Sequence, residues 1–239
     1  MPADSTHNVY FKDRKDAAEQ LIETLPIDLL KENETVVIGV SEGGVYFADR
    51  LARAVEAPMD ILLTEPIMAP NNPEVAIAMI SETEEVVMHK ALVDAFDINE
   101  DFVYNEAQRK HDEEVLGYVY RYRKGKDLLP LKGKYVVLAD ECIETGLTMM
   151  VALKSVIARG AKNIYIATPI LDRAVYENLL AVCDGVFCPH KIQDYISIEY
   201  YYQNFIQPDF DEIIQMMAYY EKYEKNREDE TEDKGKQEV

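Results

Sequence analysis

The residues of this 239-residue sequence best suited to chemistry lie in one short segment, residues 136–148. Four apolar residues, typical of a buried strand, lead directly into two adjacent carboxylates, Asp140 and Glu141. Carboxylates at the carboxyl end of a parallel strand can accept hydrogen bonds from vicinal hydroxyls such as those of a ribose. The first half of the segment therefore predicts a sugar site.

The second half of the segment predicts an anion site. Four residues lead into the following helix: Thr145, Gly146, Leu147 and Thr148. Backbone amides at a helix N-terminus, two hydroxyls and a glycine that allows close backbone approach suit a phosphate monoester. Together the halves describe a ribose 5-phosphate cradle. The alternative is an ordinary strand-to-helix turn in which Glu144 or Thr145 caps the helix.

The complete segment resembles the signature of type I phosphoribosyltransferases, in which two acids and a Thr-Gly pair follow four apolar residues. The resemblance implies that Asp140 and Glu141 bind the ribose hydroxyls of phosphoribosyl pyrophosphate, and that residues 145–148 bind its 5-phosphate. Glu144 occupies a position that is acidic in some purine-type members, which makes it the candidate general base toward a nucleobase. The resemblance also implies that Mg²⁺ arrives with the pyrophosphate, without a protein-only metal site.

A second segment lies where this family has its pyrophosphate loop, between a predicted strand at 36–40 and a predicted helix at 45–55. Its residues are Ser41, Glu42, Gly43 and Gly44. Short segments at 69–74, 131–134, 193–195 and 201–202 look like a bacterial branch of uncharacterised phosphoribosyltransferases. The resemblance covers roughly residues 10–220 and implies a role in nucleotide metabolism.

The chain departs from this branch at two acidic positions. Glu42 replaces a usual arginine, and Thr64-Glu65 replaces a usual basic residue. A carboxylate about 4 Å from a pyrophosphate charge opposes it by on the order of 4 kcal/mol at an effective dielectric of 20, before screening. Either Mg²⁺ bridges the two and the chain is a transferase, or it is a non-catalytic or regulatory relative that binds a nucleotide or ribose 5-phosphate.

Basic residues at 108–110 and 121–124 offer two interpretations. They could close over the substrate as a loop and supply the missing positive charge. The spacing favours the other interpretation, a solvated helix face on which the cations pair with Glu113 and Glu114.

Repeated strand, turn and helix units predict an α/β fold with a doubly wound, mostly parallel sheet. The remaining predicted strands are at 60–64, 135–139 and 163–168, and the other helices at 13–25, 147–159 and 208–223. An insertion at about 66–130 contains a predicted hairpin, 75–80 with 85–89, and a charged helix at 100–124. We expect one domain over residues 1–223 and a disordered charged tail over 224–239.

Bulk composition limits the partners. The formal net charge is −20, and only 8 of the 45 acids lie in residues 221–239, so the body is acidic and disfavours nucleic acid and anionic lipid. Three scattered cysteines and no membrane-length apolar run favour a cytoplasmic protein.

Two further groups of residues are weaker candidates for a site. Cys183, Cys188 and His190 are one ligand short of a zinc site. Tyrosines at 195 and 200–202 could stack on a base, pack the sheet edge or line a homo-oligomer interface.

Overall fold

The computed structural model of the chain describes residues 9–220. In chain order its strands are β1 (Thr35–Gly39), β2 (Met59–Ile61), β3 (Thr64–Ala69), β4 (Asn72–Ser81), β5 (Val86–Met88), β6 (Tyr135–Ala139), β7 (Asn163–Ala167), β8 (Ile170–Asp172), β9 (Gly185–Phe187) and β10 (His190–Ile192). Its helices are α1 (Arg14–Ile22), α2 (Ile27–Lys31), α3 (Glu42–Val55), α4 (Lys90–Ala95), α5 (Glu100–Lys110), α6 (Leu116–Arg123), α7 (Leu147–Ala158) and α8 (Arg173–Leu180). A π-turn (His111–Val115) joins α5 to α6, and residues 210–220 are also helical.

The central sheet is parallel and has the strand order β2-β1-β6-β7-β9. The doubly wound α/β fold expected from the sequence is therefore confirmed. The winding direction reverses between β1 and β6, whose final residues Gly39 and Ala139 are paired. Crevices at such a reversal, beyond the carboxyl ends of the strands, are where ligands bind in this class of sheet.

The two faces of the sheet bury alternate residues of the same strands, because successive side chains of a strand point to opposite faces. Val37 and Val137 pack with α1 and α3 on one face. Val36 and Val136 pack with α7 and α8 on the other. Burial on both faces explains why these strands are continuous apolar runs in the sequence.

The insertion forms a separate antiparallel sheet, β3-β4-β5, followed by α4, α5 and α6. The predicted hairpin is confirmed as β4 and β5. Strand β3 was not predicted, because the prolines and asparagines of residues 69–73 are typical of a turn. In the structure only the tip at 70–71 turns, and β3 pairs along β4. Met79 of β4 packs against Leu147 and Val151 of α7, so the insertion covers the start of that helix.

Other boundaries differ from expectation for local reasons. Residues 42–44 are the first turn of α3 and not a loop, because Ser41 caps the helix by accepting the Gly44 amide at 2.8 Å. The small pair β8 and β10 and the helix α8 were not predicted.

The predicted helix at 208–223 is present over 210–220, and the predicted tail at 224–239 lies outside the described residues. Within residues 9–220, no helix has the length and apolar character needed to cross a membrane.

Candidate functional site

Two segments meet where the winding of the sheet reverses: residues 40–44 after β1, called the first loop although α3 begins within it, and residues 140–146 after β6, called the second loop. The Val40 amide donates to the Ala139 carbonyl at 3.0 Å, which carries the pairing one residue past the strands. The next residues are joined by side chains, since the Ser41 hydroxyl donates to Asp140 Oδ1 at 2.5 Å. The structure thus brings together the two predicted loops and fixes their first residues to each other.

Asp140 lies beneath this junction and is only 7% exposed. Its Oδ1 also accepts the Glu141 amide at 2.8 Å. Burial raises the pKa of Asp140 to about 7, while the Ser41 hydroxyl and the Arg14 charge oppose the shift. Near neutral pH this carboxyl is therefore divided between its protonated and ionised forms.

Glu141 is held from two sides. The guanidinium of Arg14, at the start of α1, donates through Nη2 to Glu141 Oε2. On the other side the carboxylate rests on the backbone of Gly43, where a Cβ atom would collide with it. At Gly44 a Cβ would stand 2.7 Å from the Ala139 carbonyl oxygen. The paired glycines of the first loop are explained by this close contact with the second.

The loop after β6 is anchored at its centre and exposed at its tip. The Ile143 amide donates to the Ile170 carbonyl at 3.0 Å, and the Asp172 amide donates to the Ile143 carbonyl at 2.8 Å. Glu144 and Thr145, which follow, are exposed. The tip is therefore a firmly held loop that presents two polar side chains to solvent.

Free backbone amides follow this tip, at the start of α7. Gly146 is the N-cap residue, with a φ of +78° that favours glycine, and no side chain caps the helix. The first intrahelical bond runs from the Met150 amide to the Gly146 carbonyl at 2.8 Å. In the described part of the chain the amides of Thr148 and Met149 have no acceptor. These amides and the helix dipole favour an anion.

A cleft of about 300 Å³ opens beside the two loops. Its polar lining comes from the first loop, from β3, from α6 and from the first turn of α7: Ser41, Glu42, Thr64, Glu65, Tyr118, Tyr122 and Thr148. Asp140 and Glu141 are not part of this lining, because they face Ser41 and Arg14. The cleft is therefore next to the carboxylate pair and is itself acidic.

Both acids that depart from the expected pattern face this cleft. The Tyr122 hydroxyl donates to the Glu42 carboxylate, and Lys110 Nζ donates to Glu65 at 2.9 Å. Lys110 also lies 3.3 Å from Glu114, so a second carboxylate shares its charge. Burial raises the pKa of Glu65, and the Lys110 bond opposes that shift. No cation in this group is left over to face a pyrophosphate.

Most basic residues of the long helix have carboxylate partners, but Arg121 instead lies 4.0 Å from the ring centre of Phe210. Arg109 pairs with Glu106 at 2.6 Å and with Glu113, which confirms the predicted pairing along a solvated face. Arg123 contradicts that prediction, since it is buried and contacts Asp60 at 3.5 Å and Glu82. Its side chain joins the insertion to β2, because Asp60 lies on β2 and Glu82 in the turn after β4.

Arg14 belongs to this site but was not predicted from the sequence. It lies one helical turn before Ala17 and Ala18 and two before Leu21, on the buried face of α1. An arginine at that spacing is a signal, because a cation on the apolar face of a helix must find a buried acceptor. The acceptor is Glu141, 127 residues later in the chain.

The remaining candidates have structural partners. Cys188 Sγ donates to the His190 carbonyl at 3.3 Å, and His190 Nε2 lies 3.1 Å from Gln20 Oε1. Within residues 9–220, no three His, Cys, Asp or Glu side chains are grouped as metal ligands. Tyr201 and Tyr202 are buried by packing. The Tyr195 hydroxyl donates to Cys142 Sγ at 3.5 Å, which places that tyrosine beside the second loop.

Comparison with known proteins agrees with this geometry. A family model for the phosphoribosyl transferase domain matches residues 6–204. Two Mycobacterium tuberculosis proteins, provisionally named phosphoribosyl transferases, are 30% identical over 204 residues, which are 85% of this chain but 45% of theirs. The chain thus spans less than half the length of these relatives. The crystal structure of TT1426 from Thermus thermophilus is similar with a TM-score of 0.73 and 28% identity, covering 88% of this chain and 98% of that one. The chain belongs to the phosphoribosyl transferase family.

Proposed function

We propose that this protein transfers the phosphoribosyl group of phosphoribosyl pyrophosphate to a nitrogen of a nucleobase-like acceptor, with Mg²⁺ bound to the pyrophosphate. The observation that carries the proposal is the direct bond between the two loops, Ser41 Oγ to Asp140 Oδ1 at 2.5 Å. That bond places a carboxylate pair, a set of free amides and a cleft at one point of the sheet. A sugar phosphate needs all three kinds of group within one small volume.

In this proposal the 5-phosphate binds at the start of α7. The free amides of Thr148 and Met149 donate to its oxygens, and the hydroxyls of Thr145 and Thr148 add two further donors. The ribose hydroxyls donate to Asp140 and Glu141, which ionise to act as acceptors. Leu147 packs under Met79 and keeps this turn in place.

The transfer breaks the bond between C1 of the ribose and the pyrophosphate oxygen, and the bonding electrons leave with the pyrophosphate. The acceptor nitrogen forms the new bond to C1 and gives up its proton. Glu144, exposed at the tip of the second loop, is the proposed general base for that proton. The carboxylates beneath the sugar stabilise the positive charge that develops on the ring in the transition state.

The oxygen donors of the cleft fit a magnesium ion that arrives with its substrate. Mg²⁺ commonly takes one or two protein carboxylates together with substrate phosphates and water. Glu42 and Glu65 are two carboxylates that line the same cleft. When bound, Mg²⁺ would supply the positive charge that lets a pyrophosphate lie beside them.

The same two acids favour a second candidate function, binding without turnover. Their neighbouring cation, Lys110, is already shared between Glu65 and Glu114. A cleft with that charge suits a nucleotide or ribose 5-phosphate, whose phosphate lies at α7 and away from the acids. In that case the protein would be a regulatory or non-catalytic binding protein on this fold.

Calorimetry separates the two functions. Phosphoribosyl pyrophosphate, ribose 5-phosphate and a nucleoside monophosphate are each titrated into the protein, with and without Mg²⁺. For a transferase we expect phosphoribosyl pyrophosphate with Mg²⁺ to bind more tightly than ribose 5-phosphate. Equal affinity for the two would contradict the transferase and support the binding protein. Absence of binding by all three at millimolar concentration would contradict both.

A matched pair of variants tests the phosphate position. Thr148→Val keeps the shape of the side chain and removes the hydroxyl, and we expect ribose 5-phosphate to bind about tenfold more weakly, since hydrogen bonds to charged groups contribute about 1.5–3 kcal/mol. Thr24→Val is the control, because the Thr24 hydroxyl bonds the Leu21 carbonyl at the end of α1 and is not part of the site. If Thr148→Val and Thr24→Val bind ribose 5-phosphate with equal affinity, the phosphate does not lie at Thr148.

A further inference from the structure

Arg14 is a cation that the fold buries almost completely. Only 5% of the residue is exposed, and its guanidinium lies 5.0 Å from the ring centre of Phe205 and 5.6 Å from that of Tyr46. Burial lowers the pKa of Arg14, because the surroundings solvate its charge poorly. A charged group in such a position costs folding free energy unless it is well paired.

The pairing of Arg14 is incomplete. Nη2 donates to Glu141, but Nε and Nη1 are buried without a hydrogen-bond partner among the described residues. The Tyr202 hydroxyl, whose ring packs on Phe205, is also buried and unpartnered. An apolar side chain of similar volume would avoid burying these unpartnered donors, but it would leave the Glu141 carboxylate without its cation. The contact that distinguishes arginine from such a side chain is the one to Glu141.

Glu141 is held so that one carboxylate oxygen remains available. Oε2 accepts from Arg14, and within residues 9–220 Oε1 has no hydrogen-bond partner. The carboxylate cannot rotate freely, because it lies between the guanidinium and the backbone of Gly43. Its side chain is 15% exposed, so a small ligand can reach it.

We propose that Arg14 is a positioning residue, which holds Glu141 with its second oxygen directed at a sugar hydroxyl and so sets the selectivity for ribose. Arg14 itself does not touch the sugar. The inference rests on the proposed function only in taking ribose 5-phosphate as the ligand of the carboxylate pair. This role makes helix α1 part of the sugar site, although Arg14 lies 127 residues before Glu141 in the chain.

The test compares ribose 5-phosphate with its 2-deoxy and 3-deoxy analogues, titrated by calorimetry. Glu141→Gln should lose selectivity against one of the two analogues by about tenfold, which identifies the hydroxyl that Glu141 receives. Arg14→Met should lose selectivity against the same analogue by a similar factor. The double variant should lose no more than either single one, because both changes remove one interaction.

Two controls separate positioning from general damage. Arg50→Met makes the same substitution on α3, where Arg50 is partly exposed and pairs with Asp49, and should leave the selectivity unchanged. Arg14→Gln keeps a polar donor, but on a side chain two bonds shorter than arginine, so it loses the contact that Nη2 makes with Glu141 and should also reduce selectivity. It replaces Arg14→Met if the latter fails to fold. Thermal unfolding establishes that each variant is folded.

The outcomes distinguish this inference from the proposed function. If the unmodified protein prefers ribose 5-phosphate and folded Arg14→Met and Arg14→Gln keep that preference, the positioning role is wrong and the proposed function stands. If Arg14→Met loses selectivity against the analogue that Glu141→Gln does not affect, the positioning role is also wrong. If the unmodified protein binds none of the three sugar phosphates, the proposed function fails and this inference fails with it.

Discussion

The loops after β1 and β6 start from adjacent strands and both lead into a helix, but they treat the helix N-terminus in opposite ways. Ser41 caps α3 with its own hydroxyl, which accepts the Gly44 amide. Gly146 leaves α7 without any side-chain cap. Ser41 therefore satisfies one amide in the first turn of α3, while the Thr148 and Met149 amides at the start of α7 have no acceptor among the described residues. The start of α7 is thus the better suited of the two to an anion.

The same contrast explains the acid in the first loop. Glu42 is the first residue of α3, where a negative side chain interacts favourably with the helix dipole. The Tyr122 hydroxyl holds it there. On α7 the corresponding turn contains no acid, so an anion bound there would not compete with a carboxylate of that turn. The substitution that seemed unfavourable for pyrophosphate is thus accommodated within α3 itself.

The largest effect is expected from Gly44→Ala, which would push the two loops apart. The added Cβ would stand 2.7 Å from the Ala139 carbonyl oxygen and 3.2 Å from the Asp140 Cα, and neither backbone atom can move alone. We expect a loss of about 3 kcal/mol in the free energy of unfolding, measured by urea denaturation. Gly117→Ala, in open space on α6, is the control and should gain about 0.5–1 kcal/mol. Similar values for both would mean that the loops are not in close contact.

Asp140→Asn should change stability in a pH-dependent manner. The pKa of Asp140 is raised from 3.8 to about 7 in the folded protein, so its ionisation opposes folding increasingly from about pH 4 to pH 7. Asparagine removes that penalty. The stability gained by the variant should therefore be greater at pH 8 than at pH 5, by about 2.5 kcal/mol.

Thermal and urea unfolding at the two pH values measure this difference. Asp28→Asn, an exposed aspartate on α2, is the control for general effects of the substitution. If Asp140→Asn has the same relative stability at both pH values, the pKa of Asp140 is not raised by burial.

Gly43→Ala should affect ligand binding more than folding. Its Cβ would collide with the Glu141 carboxylate, a side-chain end that can be displaced only by giving up its position between Gly43 and Arg14. We expect ribose 5-phosphate to bind about tenfold more weakly, because the carboxylate loses its position. The two neighbouring substitutions should therefore differ in kind: Gly43→Ala should mainly weaken ligand binding, and Gly44→Ala should mainly lower the free energy of unfolding. A stability loss equal to that of Gly44→Ala would show that Glu141 is held rigidly.

The smallest effect is expected from Glu42→Arg. Reversing this charge should strengthen binding of pyrophosphate in the absence of Mg²⁺ by about 1 kcal/mol, or roughly fivefold, because Glu42 is exposed and water screens the interaction. Calorimetric titration of pyrophosphate measures it. Glu32→Arg makes the same charge change beyond the opposite end of β1 and should have little effect. No difference between these variants would show that Glu42 does not face the ligand.

Local sequence was sufficient for the second loop and for the parallel strands. The apolar run of β6, the carboxylates after it and the glycine before α7 lie within 12 residues, so their closeness in the chain already brings them close together in space. The strands β1, β6 and β7 were predicted because burial on both faces makes them continuous apolar runs. The pairing of β3 with β4 was missed because its turn-forming residues resemble a loop until the partner strand is known.

The sequence by itself determined the class of fold, the residues of the second loop and the acidity of the first. Only the tertiary structure decided that Arg14 holds Glu141, that Arg123 is buried with Asp60 and Glu82, and that Glu42 and Glu65 share one cleft. These contacts join residues that are far apart in the chain, up to 127 positions for Arg14 and Glu141. No local propensity encodes such pairs. They form only when the sheet and helices pack together, because a charged group that is removed from water must then be paired with an opposite charge.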